Sequence, residues 1–173
     1  FYSGFNVSGG AVLWGPVSTS LMPSLAEGGS NLSTALFAMK TKHVNAWQEF
    51  ETHLRSAIPG FISLNFKPHD RSGTVIGTWR ERGIKGSLTL ADLSDGTLRL
   101  LCWATLCLSP SIPPLMCIDG PELGLHPRVL PVLAGLFRKA SARSQILIAT
   151  HSPYFLAQFG LDEIAVMRKE SGR

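Results

Sequence analysis

Two apolar runs in this chain end in residues that can do chemistry. Leu115-Met116-Cys117-Ile118 runs into Asp119, and Ile146-Leu147-Ile148-Ala149 runs into Thr150-His151-Ser152. A buried strand that ends in a carboxylate suits a hard cation such as Mg²⁺, which takes oxygen ligands and keeps several of its waters. In open parallel sheets the ligand lies beyond the carboxyl ends of the strands. Taken singly, Asp119 reads as a loop cap and His151 as a structural histidine. Taken together at one sheet edge, they point to a phosphate and Mg²⁺ site. A third group, Ser94-Asp95-Gly96, precedes the apolar run 97–108. A helix start there offers unpaired backbone N–H groups and a partial positive charge. A glycine lets an anion approach the backbone closely. The plainer reading is that Ser94 or Asp95 is simply an N-cap.

The elements that must position these residues can be read from periodicity. Residues 1–30 are rich in Gly, Ser and Pro and read as irregular, with a short strand at Ala11–Trp14. Ser30 or Asn31 can cap a helix through "LSTALFAMK", where Leu32, Leu36 and Met39 recur at helical spacing. A second helix follows, with Val44, Trp47, Phe50, Leu54 and Ile58 on one stripe and Pro59-Gly60 ending it. The period then changes to two. "FISLNFKP" alternates imperfectly, "GTVIGTWRE" carries Val75, Gly77 and Trp79 on one face, and "HDRSG" between them is turn chemistry. That predicts an antiparallel hairpin, with "SLTLADL" as a third strand. Residues 97–108 are apolar nearly all round, which predicts a buried helix. Helix 127–143 starts at Pro127 and ends in basic residues. "SQILIAT" is a second buried strand, "PYFLAQF" a short helix and "EIAVMRKE" a final strand. Continuous apolar strands alternating with helices predict a parallel α/β sheet.

Bulk properties narrow the class. The chain has 173 residues, enough for one domain with a real core. Hydrophobic residues make up 45% and charged residues 16%, which excludes a disordered chain or a coiled coil. No apolar run approaches the roughly 18 residues that would span a bilayer. The net charge of +4 permits contact with nucleic acid without requiring it. The densest basic stretch, 71–86, also reads as a solvated hairpin. Cys102, Cys107 and Cys117 sit in apolar segments without a CxxC pair, which fits a reducing, cytoplasmic setting.

The motifs resemble a family. "LSDGT" (93–97) looks like the signature loop of ABC-type ATPases, "LMCIDGPELGLHP" like their Walker B strand and D-loop, and "ILIATHSP" like their switch histidine. The group that resembles it is the AAA-family ATPases related to RecF, SMC and the overcoming-lysogenization-defect nucleases. The resemblance covers residues 28–170. It implies a partial P-loop NTPase fold: residues 31–173 as the C-terminal portion of one ABC-type ATPase domain, with an antiparallel hairpin and helical portion beside a parallel core sheet. By the same resemblance Asp119 would hold Mg²⁺ through water and His151 would contact the γ-phosphate of ATP. Ser94, with Asp95 beside it, and Gly96 would reach a nucleotide bound mainly to another protomer, which implies a homodimer with ATP between the subunits. Glu122, Leu125 and His126 would lie in the loop crossing that interface. Relatives act in DNA repair and phage defence, which implies DNA or a nuclease as partners.

Two departures qualify that reading. No G-x-x-x-x-G-K-[ST] occurs anywhere in the chain. The amide cradle and Lys that hold the β- and γ-phosphates are therefore expected upstream of the matched segment. Gly120 stands where the family usually has the Glu that activates the attacking water. Glu122 is the nearest carboxylate that could replace it; the alternative is an ATP-gated clamp or scaffold with slow or absent hydrolysis. An esterase is disfavoured by the lack of a G-x-S-x-G, and a metal hydrolase by the spacing of His126 and His151.

Overall fold

A computed structural model describes residues 2, 4, 5, 7, 15, 16, 24–68 and 74–168. The polypeptide first builds a helical pair. Helix α1 (Leu32–Lys42) and helix α2 (Val44–Ala57) meet at His43. Asn31 stands at the N-cap position of α1, but its side chain does not cap. Its Oδ1 accepts from the Ala26 amide at 2.7 Å and so ties down the preceding loop. The α2 stripe falls as the spacing predicts, with Trp47, Phe50 and Leu54 buried; Val44 is left exposed.

An antiparallel sheet comes next. Strands β2 (Phe61–Pro68) and β3 (Thr74–Glu81) pair from Phe61↔Glu81 to Pro68↔Val75. A bulge between Phe61 and Ser63 explains the imperfect alternation of β2. One extra residue shifts the phase, so that both Phe61 and Leu64 face inward. On β3 the inward face is Val75, Gly77 and Trp79. Of the third strand expected over "SLTLADL", only Leu88–Thr89 (β4) pairs with β3, because Leu90–Asp92 turns into a 3₁₀ helix capped by Thr89 and Asp92; Gly15–Pro16 (β1) pairs with the other end of β3. The strand expected at Ala11–Trp14 and the turn expected at 69–73 lie outside the described residues.

Helix α3 (Asp95–Leu108) is the hub of the core. Every residue from Leu100 to Leu108 is buried. Burial pushes the Cys102 thiol up to about 12 and the Cys107 thiol higher still, so both behave as small hydrophobes. Arg143 closes the C-terminal end of α3 by donating to the carbonyls of Cys107 and Ser109 at 2.7 and 2.9 Å. Helix α4 (Leu130–Ser141) packs against α3 through Leu133, Leu136 and Phe137. Its first turn, Pro127–Val129, is 3₁₀ rather than α.

The parallel sheet consists of β5 (Leu115–Asp119) and β6 (Gln145–Ala149), paired in register from Leu115↔Gln145 to Asp119↔Ala149. Tyr2 forms an isolated parallel bridge to Ile118 on the other side of β5. Helix α5 (Pro153–Leu156) follows β6, with Phe155 buried. The final strand expected from Glu163 does not form over its described part. Leu161–Glu163 is a 3₁₀ turn, and Ile164–Arg168 has no regular structure. A strand exists only through ladder partners, and this stretch has none among the described residues. Val166 and Met167 consequently stand 78% and 93% exposed.

The two faces of the β5–β6 sheet differ. Met116 and Ile118 are buried against the core, whereas Leu115 and Leu147 on the other face are 49% and 56% exposed. Among the described residues no helix is long and apolar enough to cross a membrane.

Candidate nucleotide and metal site

Asp119 and His151 sit where the strand reading places them, at the carboxyl ends of adjacent parallel strands. Asp119 lies opposite Ala149, and Thr150-His151 follow directly. Both side chains are exposed. The backbone at this edge is held from both sides. The Asp119 amide donates to the Tyr2 carbonyl at 2.9 Å, and the Gly120 amide donates to the Ala149 carbonyl at 2.9 Å. Tyr2 was not legible as a site neighbour: its pairing with Ile118 spans more than a hundred residues, and nothing in its local sequence marks it.

The loop after Asp119 turns twice through glycine. Gly120 has φ +55° and Gly124 φ +77°, a region where glycine alone is unstrained. Trp103 on α3 donates its indole N–H to the Pro121 carbonyl at 3.1 Å, within the core. Glu122 is turned towards β6, where its Oε1 accepts from Thr150 Oγ1 at 2.5 Å. Its Oε2 is buried and has no hydrogen-bond partner among the described residues.

Ser94, Asp95 and Gly96 open helix α3. Ser94 Oγ accepts from the Thr97 amide at 3.2 Å, so the N-cap reading is met. Gly96 is required by a contact: a Cβ there would lie 2.6 Å from the Gly124 carbonyl oxygen. The backbone of the 120–126 loop, rather than an anion, fills that side of Gly96. The helix start and this loop together shape a cleft of about 520 Å³, lined by Ser94, Asp95, Gly96, Gly124, His126 and Arg128 among others. His126 Nδ1 accepts from the Arg128 amide at 3.1 Å, which leaves Nε2 to carry the proton of a neutral ring. Asp119, Glu122 and His151 do not line this cleft. The candidate residues therefore form two groups joined by one loop: Asp119 with His151 at the sheet edge, and Ser94-Asp95-Gly96 at the cleft.

Residues 20–157 match the family described as "AAA domain, putative AbiEii toxin, Type IV TA system". The chain belongs to this AAA domain family. No curated protein matches it in sequence. Three solved structures show how the AAA domain is built. The Smc head with an extended coiled coil from Pyrococcus furiosus, bound to the C-terminal domain of ScpA, aligns with TM-score 0.54 and 16% identity, over 72% of this chain and 32% of that one. An Smc head bound to the C-winged helix domain of ScpA gives TM-score 0.56 and 16% identity over 82% and 46%. An SMC ATPase described for ATP-driven dimerisation and DNA-stimulated activation gives 0.51 and 19% over 70% and 75%. These identities establish a shared fold, that of SMC head ATPase domains. The AAA domain here spans about a third of the first of those chains and under half of the second.

Gly120 makes a direct test of the loop. A Cβ at this position would meet Leu123 Cδ1 at 2.7 Å, and the left-handed backbone adds strain. Leu123 is 62% exposed and can turn aside, so the backbone strain dominates. Gly120→Glu is expected to lower stability by about 1–2 kcal/mol. In the full-length protein it should raise ATP turnover, since a general base contributes on the order of 10²–10⁴-fold. Denaturant melts and steady-state turnover check the two halves; unchanged turnover would show that this carboxylate is not what limits the rate.

Proposed function

We propose that this chain is the metal-holding and signature-bearing part of an ATP-hydrolysing AAA domain that works as a pair. The observation that carries the reading is the parallel register placing Asp119 beside Ala149-Thr150-His151, with a helix-start cleft on the same loop. Among the described residues no three His, Cys, Asp or Glu side chains gather to hold a metal alone. Mg²⁺ binds through one or two carboxylates, its own waters and substrate phosphates. Asp119 would supply the protein oxygen and His151 would face the terminal phosphate. Ser94, Asp95 and Gly96 would meet a nucleotide held by the partner protomer, through the open amides of α3. With Gly96 packed on Gly124, the amides and not its missing side chain carry that role.

The P-loop would lie upstream of the matched segment. Leu115 and Leu147 support this: they stand half-exposed on one face of the β5–β6 pair, and parallel sheets are covered on both sides. Gly120 favours a second reading, an ATP-gated clamp with weak turnover, because the loop carries no carboxylate next to Asp119. DNA repair or phage defence, with DNA or a nuclease as partner, follows from the family likeness. It has modest support from Arg80, Arg82 and Lys85, exposed near the end of the hairpin. A cytoplasmic setting agrees with the buried free thiols.

The test is Mg²⁺-dependent ATP turnover in the full-length protein. Asp119→Asn should reduce it on the order of 10²-fold, the scale of losing one charge-stabilising group at a transferring phosphoryl. Turnover equal to wild type would remove Asp119 from the site.

A further inference from the structure

Glu122 is the least explained polar residue in the core of this site. One carboxylate oxygen is engaged by Thr150 and the other is buried without a partner. A carboxylate oxygen buried without a partner is costly, so the fold alone gives little reason for a carboxylate here. Thr150 is itself doubly used. Its hydroxyl donates to Glu122 and accepts from the Ser152 amide at 3.0 Å. Ser152 in turn caps α5 by accepting from the Phe155 amide at 3.2 Å. His151 lies between these two anchored residues, with its own side chain exposed. The chain of bonds therefore runs from the 120–126 loop, through Glu122 and Thr150, to the turn that carries His151.

We infer that Glu122 is a positioning residue: through Thr150 it fixes the 150–152 turn and so aims His151. This rests on the proposed role of His151 at a nucleotide phosphate. It replaces the idea of Glu122 as a water-activating base. The same loop packs on Gly96 through Gly124, so the α3 cleft and the His151 turn share one support. A shift of the loop at the cleft is thereby felt at Thr150.

The experiment uses the full-length protein and four variants: Thr150→Val, Thr150→Ser, Glu122→Ala and Glu122→Gln. Amide hydrogen exchange, read by mass spectrometry on peptides covering 150–156, tests the link without any ATP. Thr150→Val and Glu122→Ala should speed exchange there roughly five- to tenfold, the loss of about one hydrogen bond. Thr150→Ser should restore the wild-type rate. Wild-type exchange in Glu122→Ala would overturn the link, because Thr150→Val also removes the acceptor of the Ser152 amide. Turnover tests the role. Thr150→Val and Glu122→Ala should lower kcat on the order of 10²-fold with KM for ATP little changed, as misaim of a contact group does. Thr150→Ser and Glu122→Gln, which keep the hydroxyl and the accepting oxygen, should recover most of it. A Glu122→Gln protein as slow as Glu122→Ala would show that the carboxylate acts chemically and overturn the positioning role. Absence of any Mg²⁺-dependent turnover in the wild type would instead refute the ATPase reading, and the exchange result would still decide the link.

Discussion

Trp103→Ala should be the most damaging single substitution in the chain, costing about 3–5 kcal/mol of stability. Trp103 is 2% exposed and its ring meets Phe5, Tyr2 and Phe137 edge-on at 4.5, 6.3 and 5.5 Å between centroids. Removing it opens a cavity at the centre of α3, where neighbouring helices can relax only in part. The substitution does more than unpack the core. The indole N–H holds the Pro121 carbonyl, and Pro121 begins the loop that carries Glu122 and Gly124. Trp103→Phe separates the two effects. It keeps most of the ring but leaves that buried carbonyl unpaired, at about 1–3 kcal/mol. Urea or guanidinium melts of both variants check the expectation, with Phe intermediate between Ala and wild type.

Gly96→Val should break the cleft while leaving most of the core intact. The first added carbon would sit 2.6 Å from the Gly124 oxygen. That atom is backbone, so the clash cannot be relieved by turning a side chain. Overpacking of this kind costs about 1–3 kcal/mol, and a β-branched residue adds crowding in the first helical turn. Either α3 or the 120–126 loop must move. The expected readouts are a lowered denaturation midpoint and faster amide exchange in 120–126, with exchange in β2 and β3 unchanged. A Gly96→Val protein with wild-type exchange in that loop would show that the close packing is not required.

Much of this architecture was legible because hydrophobic periodicity carries it. The α2 stripe of Trp47, Phe50 and Leu54, the β3 face of Val75, Gly77 and Trp79, and the all-round burial of α3 each follow from spacing alone. The strand tips were legible for the same reason: an apolar run ending in Asp119, and another ending in His151, need only be paired in parallel to meet at one edge. Residues whose role depends on distant contacts were less legible. The bulge at Phe61–Ser63 shows in the sequence only as a faulty alternation. Gly96 looks like an anion-approach glycine until Gly124, far along the chain, is seen against it. Glu122 reads as a spare general base, and nothing local announces its hydrogen bond to Thr150, twenty-eight residues on. Tyr2 pairs with β5 across more than a hundred residues, and no local pattern predicts that. The expected strand after Glu163 illustrates the converse: Ile164 has extended dihedrals, but extension without a neighbouring ladder is not a strand.

In the proposed pair, the start of α3 would face the terminal phosphate of a nucleotide held by a second protomer. Ser94→Asp tests it with little disturbance to the fold, because Asp caps helices about as well as Ser. The substitution keeps the acceptor for the Thr97 amide and adds a negative charge where the anion would arrive. The measurement is ATP-dependent dimerisation of the full-length protein by analytical ultracentrifugation, alongside a thermal melt. The expected result is a wild-type melt and loss of the ATP-induced dimer. A Ser94→Asp protein that melts normally and still dimerises with ATP as the wild type does would contradict it.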